Sequence, residues 1–184
     1  MKTKILFTLI AFWLFTAGSC NDDDDDDGNR LPSITQTGAN TAGYKLDGKV
    51  IIPDKKLSWT SGPSPSNPLK GDILNDSLFI SIFNEEEKND DIIKSITKKL
   101  YIETSLRNNS FFKCYMKKSI YGEMIPEHQN YSMIEGNLDF LKKDENSGIY
   151  AGTFNAKLKH EETGEILNIT DGRFDINLNT LNKD

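Results

Sequence analysis

The sequence predicts a mainly β fold, an antiparallel β-sandwich or partly open barrel with at most one short helix. Three observations carry this. Apolar residues alternate with polar ones in short runs, as in Leu78, Ile80 and Ile82. Turn signals such as Asp47-Gly48, Asn146-Ser147-Gly148 and Glu162-Thr163-Gly164-Glu165 separate the runs. Long stretches of helical spacing are missing, and many short strands joined by turns are the pattern of sandwiches and barrels.

The elements follow in order. Tyr44, Leu46, Val50 and Ile52 flank Asp47-Gly48 as a two-residue hairpin closed by Pro53. Ser61 to Gly71, with Pro63, Pro65 and Pro68, is expected to be an irregular loop. Ser77 to Phe83 is a strand, with Phe79 and Phe83 opposite the Leu78 face. Ile92, Ile93, Ile96 and Leu100 have helical spacing, so a short helical turn near Asp91–Ile96 is expected to run into a strand through Ile102 and Leu106. Asn108-Asn109 marks a turn, Phe111 to Lys117 a further strand, and Tyr121 to Asn130 is ambiguous. A three-stranded meander closes the chain: Tyr131 to Lys142 with a bulge signalled by Gly136, Ile149 to Leu158, and Ile166 to Leu178 interrupted at Asp171-Gly172.

Ahead of this β-rich region, residues 31–184, stands a segment of different composition. Residues 1–19 carry Lys2 and Lys4, the apolar run Ile5 to Ala17, and then small residues, the layout of a secretory signal peptide. The apolar run is shorter than the ~20 residues a bilayer core requires. Ala17-Gly18-Ser19-Cys20 resembles the lipobox of bacterial lipoproteins, although Ala17 stands where a Leu is usual. The resemblance implies cleavage before Cys20 and its lipidation, and several acyl chains would give stable anchoring. Asp22, Asp23, Asp24, Asp25, Asp26 and Asp27 follow. Six adjacent carboxylates repel one another and favour a solvated tether over residues 20–30, and from Cys20 to Leu31 it could reach at most about 35 Å. An acidic run after the lipidated cysteine resembles the surface-export signal of Bacteroidota lipoproteins. It implies a lipid-anchored outer-membrane protein facing the cell exterior, with the membrane and the lipoprotein export machinery as partners.

A second resemblance concerns the β-rich region. Leu31-Pro32-Ser33-Ile34-Thr35-Gln36-Thr37-Gly38-Ala39-Asn40-Thr41 looks like the start of an uncharacterised family of Bacteroidota lipoproteins. Gly152-Thr153-Phe154 and Ile169-Thr170-Asp171-Gly172-Arg173-Phe174-Asp175 look like that family's end. The family is a domain of unknown function, and the resemblance implies no activity. The stretch from about 84 to 130 lies outside it.

The formal charge of −6 divides unevenly. With Lys2, Lys4 and the six aspartates set aside, 20 bases face 22 acids, a net −2. No basic footprint for nucleic acid exists, so nucleic acid is not an expected partner.

Candidate chemistry is sparse. Asp23-x-Asp25-x-Asp27-Gly28 begins like a calcium loop, but Ile34 stands where a bidentate Glu is needed. His128 and His160 read as surface residues near turns, and no metal or cofactor is expected. Cys114 reads as a buried strand thiol. A Cys- or carboxylate-based hydrolase would require it, or an acid such as Asp171 or Asp175, to meet a partner in space. Asp171 is expected to cap a turn, Gly172 to supply an unusual φ, Arg173 to pair with an acid and Phe174 to enter the core. The segment Gln36 to Asn40 reads as an arm ordered across the sheet. Lys98-Lys99, Lys117-Lys118 and Lys142-Lys143 read as edge-strand lysines. Asp76-Ser77-Leu78 resembles a short O-glycosylation acceptor of Bacteroidota exported proteins.

The function expected is therefore non-enzymatic: a binding or envelope-structural module. In a glycan- or peptide-binding module, Trp59, Tyr44 and Tyr101 are the candidate stacking residues for the glycan or protein ligand. The alternatives are a glycan- or peptide-binding accessory lipoprotein, and the hydrolase.

Overall fold

A computed structural model describes residues 30–54, 67–87, 93–107, 111–122 and 127–181. They form nine strands and one short helix: β1 (Thr41–Leu46), β2 (Lys49–Ile51), β3 (Leu69–Leu74), β4 (Ser77–Glu87), β5 (Ile93–Ser105), β6 (Phe112–Gly122), β7 (Glu127–Asp144), β8 (Ile149–His160), β9 (Ile166–Asn177) and α1 (Leu178–Leu181). All nine lie in one antiparallel sheet, in the order β2-β1-β9-β8-β7-β6-β5-β4-β3. The sheet curls into a half-barrel, so the architecture is the partly open barrel and not two packed sheets.

Alternation accounts for the curl. Leu78, Ile80, Ile82, Leu100, Ile102, Cys114, Met116, Tyr131, Leu158, Ile169 and Ile176 belong to one buried cluster. Cross-strand partners such as Ile80 and Ile102, or Leu100 and Met116, put these side chains on one face. Burying a single apolar face requires the sheet to wrap around it. Its two ends meet: the Asp54 N–H donates to the Phe83 carbonyl (3.2 Å) and Asn84 donates to the Ile52 carbonyl (3.2 Å). On the β3 side, Leu178 and Leu181 of α1 pack over Gly71, where a Cβ would stand 2.8 Å from Leu178 Cδ2.

The Asp47-Gly48 hairpin forms with both residues at positive φ (47° and 86°), the twist a two-residue turn needs. Asn75-Asp76 does the same between β3 and β4 (φ 50° and 60°). Four expectations are corrected. Leu69 to Gly71 belong to β3 and not to an irregular loop. Ile93 to Ile96 are strand: Ser95 and Ile96 are paired on both sides, with β4 and β6, and Ile93 is paired with Gly122 of β6. The described helix lies instead at Leu178–Leu181. The three lysine pairs sit on β5, β6 and β7, which are interior strands and not edges. Lys98 is buried and ion-paired with Glu86 (3.0 Å), which also holds Lys49 (2.8 Å). Hydrogen bonds from Lys49 and Lys98 bring the Glu86 carboxyl down to about 2. Asn108-Asn109 lies outside the described residues.

Tyr44 in the core and Asp54 at the seam carry testable chemistry. Tyr44 is fully buried, and its hydroxyl has no hydrogen-bond partner among the described residues. Burial, and secondarily Cys114, raise its phenol far above the ordinary value. An unsatisfied buried hydroxyl costs about 1–3 kcal/mol. Tyr44→Phe is therefore expected to raise thermal stability by about 1 kcal/mol; a lowered Tm would show that the hydroxyl makes a stabilising bond. Asp54 accepts from the Glu85 N–H and from Asn84 Nδ2 (3.1 Å). Burial nevertheless raises its carboxyl from 3.8 to about 6. The folded state thus prefers the protonated acid, and this contribution, full below about 4, is lost as pH rises through about 6. Asp54→Asn should flatten the stability–pH curve across that window, as measured by urea denaturation at a series of pH values.

Candidate functional site

The antiparallel register assigns the outer face as strictly as the inner one. Along one row it places Lys70, Ser81, Tyr101, Tyr115 and Ser132 side by side on β3 to β7. The next row is Asp72, Phe79, Glu103 and Lys113. Tyr101 and Tyr115 stack with ring centroids 4.5 Å apart and planes 9° from parallel. Tyr115 is 41% exposed, which is unusual for a large aromatic on an interior strand. Burial, then Tyr101 and Glu103, raise its phenol above the ordinary value. The serines beside the pair are small, and on the Ser81 side the surface dips. The result is an open depression of about 470 Å³ lined by Tyr101, Tyr115, Phe79, Lys70, Asp72 and Glu103 among others. An aromatic wall with convergent polar groups suits a ligand that has an apolar ring face and a hydroxylated rim.

A second depression, about 460 Å³, follows the seam of the half-barrel between Ala42, Asp54, Leu69 and Leu181. It is the gap left where the sheet's ends approach.

The other candidates are placed as follows. Cys20, Asp22 to Asp27 and Trp59 lie outside the described residues. Tyr101 is in the depression. Tyr44 is not: its side chain is in the core, and no ring face is offered to a ligand. Ser77 opens β4. His128 is exposed on the outer face, with Nδ1 2.8 Å from the Ser119 hydroxyl. His160 is buried, not at the surface as expected, edge-on to Tyr131 (4.9 Å). Its Nδ1 accepts the Glu162 and Thr163 N–H groups (3.2 and 2.9 Å), which fixes the Nε2–H tautomer and ties off the turn. The Cys114 thiol is buried, and burial pushes it strongly up, the opposite of nucleophile activation. Among the described residues, no three His, Cys, Asp or Glu side chains are grouped to hold a metal ion.

Asp171 and Asp175 do not form an exposed pair. Asp171 occupies a bulge of β9 at φ 53° and binds Lys45 (2.8 Å). The positive φ thus falls on Asp171 and not on Gly172. Arg173 donates to two carbonyls, of Asp171 (3.1 Å) and Pro32 (3.3 Å), instead of pairing with an acid. Asp175 is buried and holds the arm: Thr35 Oγ1 (2.6 Å), Thr37 N–H (2.9 Å) and Gly38 N–H (2.8 Å) all donate to it. The Thr35–Asn40 stretch and the Asp171–Asp175 stretch, far apart in sequence, therefore interlock.

Sequence reasoning passed over Tyr115 and Phe79 as ligand-facing groups. Their signal was their parity, opposite to Cys114/Met116 and to Leu78/Ile80. No family model matches the sequence, no curated protein matches it, and no solved structure matches the fold.

Proposed function

We propose that this protein is a lipid-anchored, non-enzymatic binding module displayed on the outer membrane, with the Tyr101–Tyr115 face as its ligand surface. The observation that carries the binding role is the stacked, partly exposed tyrosine pair beside an open polar-rimmed depression. The exposed Tyr115 ring, stacked on the half-buried Tyr101, costs hydration that a ring-bearing ligand would recover. The burial of Cys114, which raises its thiol, argues against that cysteine as a nucleophile. Anchoring rests on the lipobox-like Ala17-Gly18-Ser19-Cys20 and the aspartate tether.

Two measurements test the reading. Labelled palmitate should enter the wild type but not Cys20→Ala, and the protein should be removed from intact cells by added protease. Binding to a panel of purified polysaccharides and peptides should include a ligand whose retention is lost in Tyr115→Ala at unchanged Tm. If no ligand of the panel depends on Tyr115, the aromatic face is not the binding surface.

A further inference from the structure

On the same outer face, the row beside the tyrosines reads Phe83, Lys99, Lys117 and Asn130 across β4 to β7. Lys99 and Lys117 are directly opposed, as are Tyr101 and Tyr115 two residues along each strand. Like charges in directly opposed positions destabilise a sheet. Neither lysine has a carboxylate within ion-pair distance among the described residues, whereas Lys45, Lys49, Lys98 and Lys157 each do. The lysines' row neighbours, Phe83 and Asn130, carry no charge. Three described acids stand near the lysines on this face, none within ion-pair distance of them: Glu85 in the next row opposite Thr97, Glu103 beyond the tyrosines opposite Lys113, and Glu161, which accepts from the Ser132 hydroxyl (2.9 Å). Lys99 Nζ stands 4.9 Å from the Tyr101 ring centroid, so charge and ring share one site.

Resting on the proposed binding role, we infer that the block Lys99, Tyr101, Tyr115 and Lys117 binds an acidic saccharide, a sugar ring bearing a carboxylate or sulfate. Opposed positions are about 5 Å apart, and positions two along a strand about 6.6 Å. An ammonium pair therefore lies one sugar unit's breadth from an aromatic pair. The ring faces take the apolar face of the sugar, and the two ammonium groups take its anion by charge-assisted hydrogen bonds. The anion also relieves the repulsion between the lysines. A peptide is the poorer fit: β5 and β6 are flanked on both sides, so no free strand edge is offered for backbone pairing.

The test uses the full chain in affinity electrophoresis through gels containing polygalacturonate, dextran sulfate, neutral dextran or poly-glutamate. Retardation is expected with polygalacturonate or dextran sulfate, the arm that responds identifying carboxylate or sulfate. The doubly substituted Lys99→Gln, Lys117→Gln protein should bind that polymer on the order of tenfold more weakly, at a Tm equal to or above that of the wild type. Tyr115→Ala should weaken it as well. Equal retardation by neutral dextran, with no effect of the lysine changes, overturns the acidic-ligand inference and leaves the ring-binding role standing. Equal retardation by poly-glutamate, insensitive to Tyr115→Ala, overturns it in favour of plain charge attraction. No retardation in any gel overturns it too, and Tyr115-dependent binding elsewhere in the panel then decides the broader role separately.

Discussion

Asp175→Asn is expected to release the Thr35–Asn40 arm and to destabilise the protein by about 3 kcal/mol. Both carboxylate oxygens accept in the native state: Oδ2 from Thr35 and Thr37, Oδ1 from Gly38. Asparagine offers one acceptor oxygen and turns an NH2 toward groups that are themselves donors. Bonds to a charged acceptor are worth about 1.5–3 kcal/mol each, so losing one and opposing another accounts for the figure. For a chain of this length, 3 kcal/mol lowers Tm by roughly 6–12 °C. Burial alone would raise the Asp175 carboxyl, but the hydrogen bonds from Thr35, Thr37, Gly38 and Ala39 outweigh it and hold it below the ordinary value. Its contribution is thus present above the unfolded value near 4 and is lost as pH falls through the lower folded value. The wild type should lose stability on acidification in a way the variant does not. An unchanged Tm, with no new cleavage by protease between residues 32 and 40, would show that Asp175 does not hold the arm.

That latch was half legible in the sequence. The Gln36–Asn40 segment, rich in Thr, Gly and Asn, read as an arm because it has no alternation and no apolar face to bury. Its partner was hidden, because it lies about 140 residues away. Local signals fared best. Asp47-Gly48 and the Asn146–Gly148 turn carry their conformations in their own residue types, with Gly48 and Gly148 at positive φ. Long-range register fared worst. The strand reading of Phe111–Lys117 left the face of Tyr115 unassigned, and its stacking on Tyr101 depends on how β5 and β6 align across their connection. The lysine pairs were misplaced for the same reason: nothing local tells an interior strand from an edge. Tyr44 carried a signal that deserved more weight, since it shares the parity of Ala42 and Leu46, and that face is the core. At Ile93 to Ile96 the helical spacing pointed to a turn of helix, and cross-strand partners on β6, joined by β4 at Ser95 and Ile96, make it strand instead.

The second large effect is expected where two Gly-x-Phe triplets face each other. β8 carries Gly152-Thr153-Phe154 and β9 carries Gly172-Arg173-Phe174, with Gly152 opposite Phe174 and Phe154 opposite Gly172. Each ring lies over the glycine of the other strand. A Cβ on Gly172 would stand 2.6 Å from Phe154 Cε2, and one on Gly152 would stand 2.8 Å from Phe174 Cζ. Both phenylalanines are core residues, and Phe174 also meets Phe140 edge-on at 6.1 Å. Neither ring can swing away without opening a cavity. Gly172→Ala should therefore cost about 2–3 kcal/mol, the range of overpacking in a filled core. Three ring atoms of Phe154 are the nearest obstacles there, so Phe154→Leu should relieve much of the clash. The double variant should lose less than the sum of its parts, by about 1–2 kcal/mol. Gly152 differs, because the Asp139 carbonyl also stands 2.9 Å from the added carbon. Backbone cannot be trimmed by substitution, so Phe174→Leu should rescue Gly152→Ala far less. Chemical denaturation of the two double-mutant cycles measures both couplings. Equal, near-zero couplings would mean that the rings do not set the requirement for glycine. A large coupling at Gly172 with a small one at Gly152 would mean that ring packing dictates the first glycine and strand approach the second.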